Sequence, residues 1–188
     1  MALIKSISGI RGTIGGKPGN NLTPVDIVKF TAAYAAWLQG KNLSKKVVIG
    51  RDGRISGALV SDLCANTLVA CGFEVVDLGI TTTPTVEIAV TQEKAGGGII
   101  LTASHNPKEW NALKLLNEAG EFLSAADGAL VLEYAENENF DFVPVDKVGK
   151  VARDESYLQK HIDAVLHYPL VDAAAIRKAG FKIVVDAI

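Results

Sequence analysis

Ser104 sits in the hexapeptide Thr102-Ala103-Ser104-His105-Asn106-Pro107, directly after the apolar run Gly97-Gly98-Ile99-Ile100-Leu101. A hydroxyl on the loop leaving the carboxyl end of a buried strand faces a crevice in an open parallel sheet, where it can carry a transferable group. Ser, Asn and Pro are also good turn formers, so the hexapeptide read in isolation suits a plain turn equally well. Three more segments widen the case: Ser8-Gly9-Ile10-Arg11-Gly12, Gly50-Arg51-Asp52-Gly53-Arg54-Ile55-Ser56-Gly57 and Thr82-Thr83-Pro84-Thr85. Guanidinium groups at Arg11, Arg51 and Arg54 can grip phosphate oxygens in bidentate fashion, and glycine-rich backbone exposes amide groups to anions. Each arginine taken singly also reads as a solvated surface charge.

Two rival chemistries fail on spacing. A nucleophile elbow requires Gly-x-Ser-x-Gly, whereas Ser104 is flanked by Thr102 and Asn106, and the adjacent His105 is poorly placed to act as its base. A nucleotide-binding P-loop fails because Gly15-Gly16-Lys17 is followed by Pro18, where Ser or Thr is required.

The elements that must position these residues alternate between strand and helix. Thr23-Pro24 reads as an N-cap with proline at the first helical position, opening a helix that Gly40 ends. A strand over 46–50, a helix over 56–71 closed by Gly72, and a strand over 73–78 follow. Thr83-Pro84 repeats the cap signature for a helix reaching Val90, and 97–102 is a continuous apolar strand. Strand 113–116, the Asn117-Glu118-Ala119-Gly120 turn and a helix over 124–136 complete the unit, Ser124 and Asp127 having capping-box spacing. This order predicts an α/β fold: three α/β/α layers around a mixed, mostly parallel sheet. Residues 137–154 are polar and read as a linker or edge strand, with a weak alternation around Phe140, Phe142, Val143 and Val145. A helix over 155–167, another over 173–179 and a strand over 181–186 look like the opening of a second α/β domain. The expected division is therefore 1–136, 137–154 and 155–188, with the chain the N-terminal part of a longer protein.

Composition narrows the partners. The chain has 188 residues, 48% of them hydrophobic, which is enough for one substantial core. A net charge of −2 without a Lys or Arg cluster gives no footprint for nucleic acid or a membrane surface. The N-terminus lacks a signal-peptide pattern and no apolar run nears the ~20 residues of a bilayer span, so a cytoplasmic protein is expected. Cys64 and Cys71, about 10.5 Å apart along a helix axis, are expected to be reduced core residues.

Together and in this order, the motifs resemble the α-D-phosphohexomutase family, which includes phosphoglucomutase, phosphomannomutase and phosphoglucosamine mutase. The resemblance runs from about Lys5 to Ser124. The hexapeptide around Ser104 matches the family's phosphoserine loop, and 50–57 matches its Gly-Arg-Asp-x-Arg-x-Ser-Gly segment. The resemblance implies an enzyme that interconverts hexose 1-phosphate and 6-phosphate through phosphorylated Ser104 and a hexose bisphosphate, which also serves as activator. It implies Lys114 as general acid or base, Arg11 and His105 as further catalytic groups, and Arg11, Arg51, Arg54 and Asn106 as phosphate contacts. It implies one Mg²⁺, ligated by the phosphate on Ser104 and by three aspartates of a second-domain loop beyond residue 188. Two departures stand out: Asn111 is followed by Ala112 where the family has glycine, and Trp110 takes the place of a smaller or polar residue. Without the metal aspartates the chain alone is expected to be inactive. The alternative reading is a non-catalytic module that binds sugar phosphate. Which sugar is bound, and the oligomeric state, are not legible.

Overall fold

The computed structural model describes residues 3–6 and 9–186. Ser8, at the head of one expected phosphate segment, lies outside them, as does the very end of the expected second domain, residues 187 and 188.

Local signals set the helices. Helix α1 (Pro24–Gly40) starts where Thr23 accepts the backbone N–H of Asp26 while the Asp26 carboxylate accepts that of Thr23, with proline at the head of the helix. Ile27, Phe30, Tyr34 and Leu38 then recur at three- and four-residue spacing and are all buried. Helix α2 spans Gly57–Ala70, α3 Thr83–Gln92 and α4 Ala125–Glu136. The cap of α3 is Thr82, one residue before the expected one: its side chain accepts from the N–H of Thr85, and Pro84 still falls within the first turn, where its missing donor costs nothing. At α4, Ser124 accepts the Asp127 N–H at 3.1 Å, as its spacing predicted. Helices α5 (Tyr157–Leu166) and α6 (Ala173–Ala179) follow the last strand.

Seven strands among the described residues form one mixed sheet: β1 (Leu3–Ser6), β2 (Gly9–Thr13), β3 (Lys46–Arg51), β4 (Glu74–Ile80), β5 (Gly97–Leu101), β6 (Trp110–Leu116) and β7 (Lys150–Arg153), in the order β1-β2-β6-β5-β3-β4-β7. Strands β5, β3, β4 and β7 pair in parallel, whereas β6 runs antiparallel to β5, β2 to β6 and β1 to β2. Side chains alternate across the sheet. Val47, Ile49, Val75, Ile99, Leu101, Leu113 and Leu115 meet α1, α2 and α4 on one face. On the other, Val48, Val76, Ile100 and Leu116 meet α3 and Tyr157 of α5. This is the three-layer α/β/α arrangement expected from the order of elements.

The parallel half of the sheet meets its antiparallel half at β5 and β6, which are tied together by buried Tyr34, whose hydroxyl donates to the carbonyl of Leu116 at 2.6 Å and lies 3.3 Å from that of Gly98. Burial pushes its ionisation well above the ordinary tyrosine range. Gly97 lets the ring in: a Cβ there would collide with the Tyr34 hydroxyl.

Cys64 and Cys71 are free and buried, as expected; burial pushes the thiol of Cys64 up to about 12 and that of Cys71 up to about 11. β1 and β2 were not foreseen as strands. Within the stretch 137–154, expected as a linker or edge strand, the strand is β7; it finds the open edge of β4, while the weak alternation at 140–145 has no ladder partner. Helix α5 rests on α3, with the Tyr157 hydroxyl donating to Glu93 at 2.6 Å and Thr85 within 2.9 Å of His161 Nδ1. The strand expected over 181–186 does not form among the described residues; Phe181, Ile183, Val184 and Val185 stand exposed without a ladder. Apolar content alone does not make a strand when no neighbour supplies hydrogen bonds.

Candidate active site

β5 is buried along its whole length, so the loop that leaves it starts from a fixed point. Thr102 Oγ1 accepts the backbone N–H of Ser104 at 3.0 Å, and the Asn106 N–H donates to Ala103 at 3.0 Å, folding 102–106 into a tight turn. Ser104 takes a φ of +53°, the left-handed region that residues with a Cβ enter only when their surroundings hold them there. The turn leaves Ser104 exposed at the mouth of a cavity of ≈230 Å³.

Ser104, His105 and Asn106 form one side of this cavity; Arg11, Ala112 and Lys114 form another. Register explains the second group. Arg11 is directly opposite Ala112 on β2 and β6, and Lys114, two residues on, points to the same face, opposite Ile100 of β5. α3 covers this face at Ile100 and Leu116, but its cover ends before Lys114, Ala112 and Arg11, and among the described residues these three line an open cavity. The wall carries two cations and no carboxylate. Gly9 completes it, with φ +123° and no room for a Cβ, which would strike the Leu113 carbonyl.

The two departures from the expected pattern are absorbed locally. Ala112 sits in regular strand without a positive φ, so its methyl group costs no strain, and Lys114 keeps its place on the open face with Nζ 5.7 Å from the centre of the Phe122 ring. Trp110 begins β6 and offers its carbonyl to Arg54.

Arg54, expected against phosphate, is placed differently. Nη1 donates to the carbonyls of Pro107 (2.8 Å) and Trp110 (3.0 Å), Nη2 to those of Ser104 (2.6 Å) and Asn106 (2.7 Å), and Nε to Asp52 Oδ2 (3.2 Å). All five N–H groups are taken, and the side chain is 11% exposed. A guanidinium fork suits carbonyl oxygens as well as phosphate, and here the loop reaches it first. Arg51 is not in the cavity either. It lies at the ends of β3, β4 and β7, in a separate cavity of ≈350 Å³ with Thr81, Arg153 and Glu155.

Sequence reasoning passed over Asn111 and Ser56 as a pair. Asn111 is fully buried; its Nδ2 donates to Ser56 Oγ at 3.0 Å, and its Oδ1 accepts the Ala112 N–H at 2.8 Å. Ser56 belongs to the same glycine-rich segment as Arg54, and that shared membership was the available signal. Among the described residues no three His, Cys, Asp or Glu side chains converge as a metal site, and no helix is long and apolar enough to cross a membrane.

Residues 3–141 match the family model described as phosphoglucomutase/phosphomannomutase, alpha/beta/alpha domain I. A phosphoglucomutase/phosphomannomutase of Thermococcus kodakarensis is 34% identical over 178 residues, covering 93% of this chain and 38% of that protein. A phosphoglucosamine mutase of Methanococcus aeolicus is 35% identical over 167 residues, covering 88% of this chain and 34% of that protein. Among solved structures, a phosphoglucomutase/phosphomannomutase family protein from Burkholderia thailandensis shares the fold, with a TM-score of 0.72 at 22% identity over 88% of this chain and 36% of that one. The chain thus spans a little over a third of the length of these relatives. The family match over three-quarters of the chain, on a fold that gathers Ser104, Arg11 and Lys114 at one cavity, establishes that the chain belongs to the phosphoglucomutase/phosphomannomutase family through its α/β/α domain I.

Proposed function

We propose that this chain supplies the phosphoserine side of a phosphohexomutase site, with Ser104 as the phosphoryl carrier. The observation that carries this reading is the cavity itself: an exposed serine on a strained turn, faced by two cations with no carboxylate between them. An anionic group on Ser104 is stabilised by such a wall, and the transferring phosphoryl needs positioning and charge compensation more than covalent help.

In the proposed reaction a hydroxyl of a hexose monophosphate attacks the phosphorus on Ser104. The new P–O bond forms as the bond to Ser104 Oγ breaks, and the proton of the attacking hydroxyl passes by way of Lys114 or His105 to Ser104 Oγ. The return step, after the bisphosphate has turned over, reverses these events with the other phosphoryl group. Arg11 holds phosphoryl oxygens, and Asn106 lines the pocket beside them. Mg²⁺, in this reading, would lower the charge on the transferring group. A phosphorylated Ser104 would offer it an oxygen ligand; among the described residues no three His, Cys, Asp or Glu side chains converge, so its remaining ligands would come from other residues. The division into 1–136, 137–154 and 155–188 is retained as part of the proposal, with β7 of the middle segment joining the sheet of the first and Tyr157 of the last packing on its core.

The test is ³¹P NMR of the full-length protein with Mg²⁺ and a trace of hexose bisphosphate, against the 1- and 6-phosphates of glucose, mannose and glucosamine. Interconversion of at least one pair, lost in Ser104→Ala, is the expected result and names the sugar. Saturable binding of sugar phosphate without interconversion would mark a binding module instead.

A further inference from the structure

Arg54 donates to the carbonyls of Ser104, Asn106, Pro107 and Trp110, so one side chain fixes the direction of four peptide units in and just after the Ser104 loop. Asp52 holds that guanidinium in place, its Oδ2 accepting from Nε and its Oδ1 from the Arg54 backbone N–H at 3.0 Å. The same β3–α2 connection reaches the far end of the loop through the Ser56–Asn111 hydrogen bond.

Peptide planarity then has a consequence. In a trans peptide the C=O and N–H point in opposite directions. With the Ser104 and Asn106 carbonyls turned toward Arg54, the N–H of His105 is turned away from it; the peptide following Asn106 belongs to Pro107 and has no N–H. The Pro107 carbonyl likewise turns the Lys108 N–H away. Neither the His105 nor the Lys108 N–H has a hydrogen-bond partner among the described residues, and His105 lines the cavity.

We propose that Arg54 is a positioning residue whose hold on the loop carbonyls aims the His105 backbone N–H at the phosphoryl oxygens carried by Ser104. Arg54 itself touches no phosphate. The inference rests on Ser104 being the phosphoryl carrier, yet it can be tested without turnover. Backbone amides directed at an anion compensate charge without needing to titrate or reorganise, which is what a phosphoryl group that arrives and leaves requires.

The experiment installs phosphoserine at position 104 of this chain by genetic encoding and compares its ¹⁵N–¹H spectrum with that of the unphosphorylated chain at one fixed pH. The His105 amide proton is expected to move downfield in the phosphorylated chain. In Arg54→Gln and in Asp52→Asn this movement is expected to shrink by at least about half while core amides of β5 and β3 keep their shifts, and Arg54→Lys is expected to restore part of it. An His105 amide that does not move on phosphorylation of Ser104, or that moves as far in both Arg54→Gln and Asp52→Asn as in the parent, overturns the proposal. Should Arg54→Gln fail to fold, the Asp52→Asn spectrum decides. A failure here with turnover intact in the full-length protein would leave the phosphoserine reading standing.

Discussion

The parallel half of the sheet and its antiparallel half are built for different ends. β5, β3 and β4 carry apolar side chains to helices on both faces, and Val48, Ile49, Ile99 and Leu101 are fully buried. β6 and β2 are covered along one face; on the other, α3 reaches only Leu116 at the end of β6, and beyond it Ala112 floors a cavity with Arg11 and Lys114 standing over it. The covered half is where stability resides and the half-covered one is where chemistry can occur, with the Ser104 loop leaving the strand, β5, at which they meet. One sheet serves both because side chains alternate: Leu113 and Leu115 bury β6 from below while Ala112 and Lys114 face the opening.

Substitutions should separate the two halves, and the largest effect on stability should come from the covered one. Ile49→Ala is expected to cost about 2–5 kcal/mol through lost transfer energy and the cavity left behind, read by denaturant unfolding, with the resonances of the Ser104 loop little changed. Tyr34→Phe comes next, at about 0.5–1.5 kcal/mol, because it removes the hydroxyl's hydrogen bond to the Leu116 carbonyl where the halves join. A cost near zero would mean that the halves are held together by packing alone.

A smaller effect is pH-dependent. Hydrogen bonds from Lys46 (2.8 Å) and Tyr157 (2.6 Å) hold the Glu93 carboxyl below its ordinary value of 4.5. A group whose folded value is depressed contributes stability that is present above its unfolded value and lost as pH falls through the folded one. Glu93→Gln is therefore expected to cost roughly 0.5–1 kcal/mol near neutrality and to lose that deficit as acid is taken below pH 4.5, seen in thermal melts across pH 3–7. The open half should show the reverse pattern. Lys114→Met is expected to change stability by less than about 0.5 kcal/mol while lowering turnover of the full-length protein by about 10²–10⁴-fold.

What the sequence made legible follows the same divide. The covered half was readable because its signals are local: an apolar run for β5, and Thr23-Pro24 for the start of α1. β1 and β2 escaped because both are short, and β2 also contains Gly9 and Gly12, which weaken its strand signal. β7 is wholly exposed and has no buried face to betray it. At the site, Ser104, His105, Asn106, Arg11 and Lys114 were named from motif alone and the fold brings them to one cavity. Arg51 and Arg54 lie outside that cavity, and for Arg54 the sequence carries no warning, because a guanidinium beside a glycine-rich turn reads the same whether it will meet phosphate or the carbonyls of a neighbouring loop. Only the three-dimensional course of 104–110 decides between the two.

The most direct test of the central claim is to expose the full-length protein to hexose bisphosphate labelled with ³²P and locate the label by peptide mass spectrometry. The account predicts a single labelled serine at Ser104, a label that is discharged by hexose monophosphate and does not appear in Ser104→Ala. Labelling at another residue, or undiminished turnover by Ser104→Ala, would contradict it.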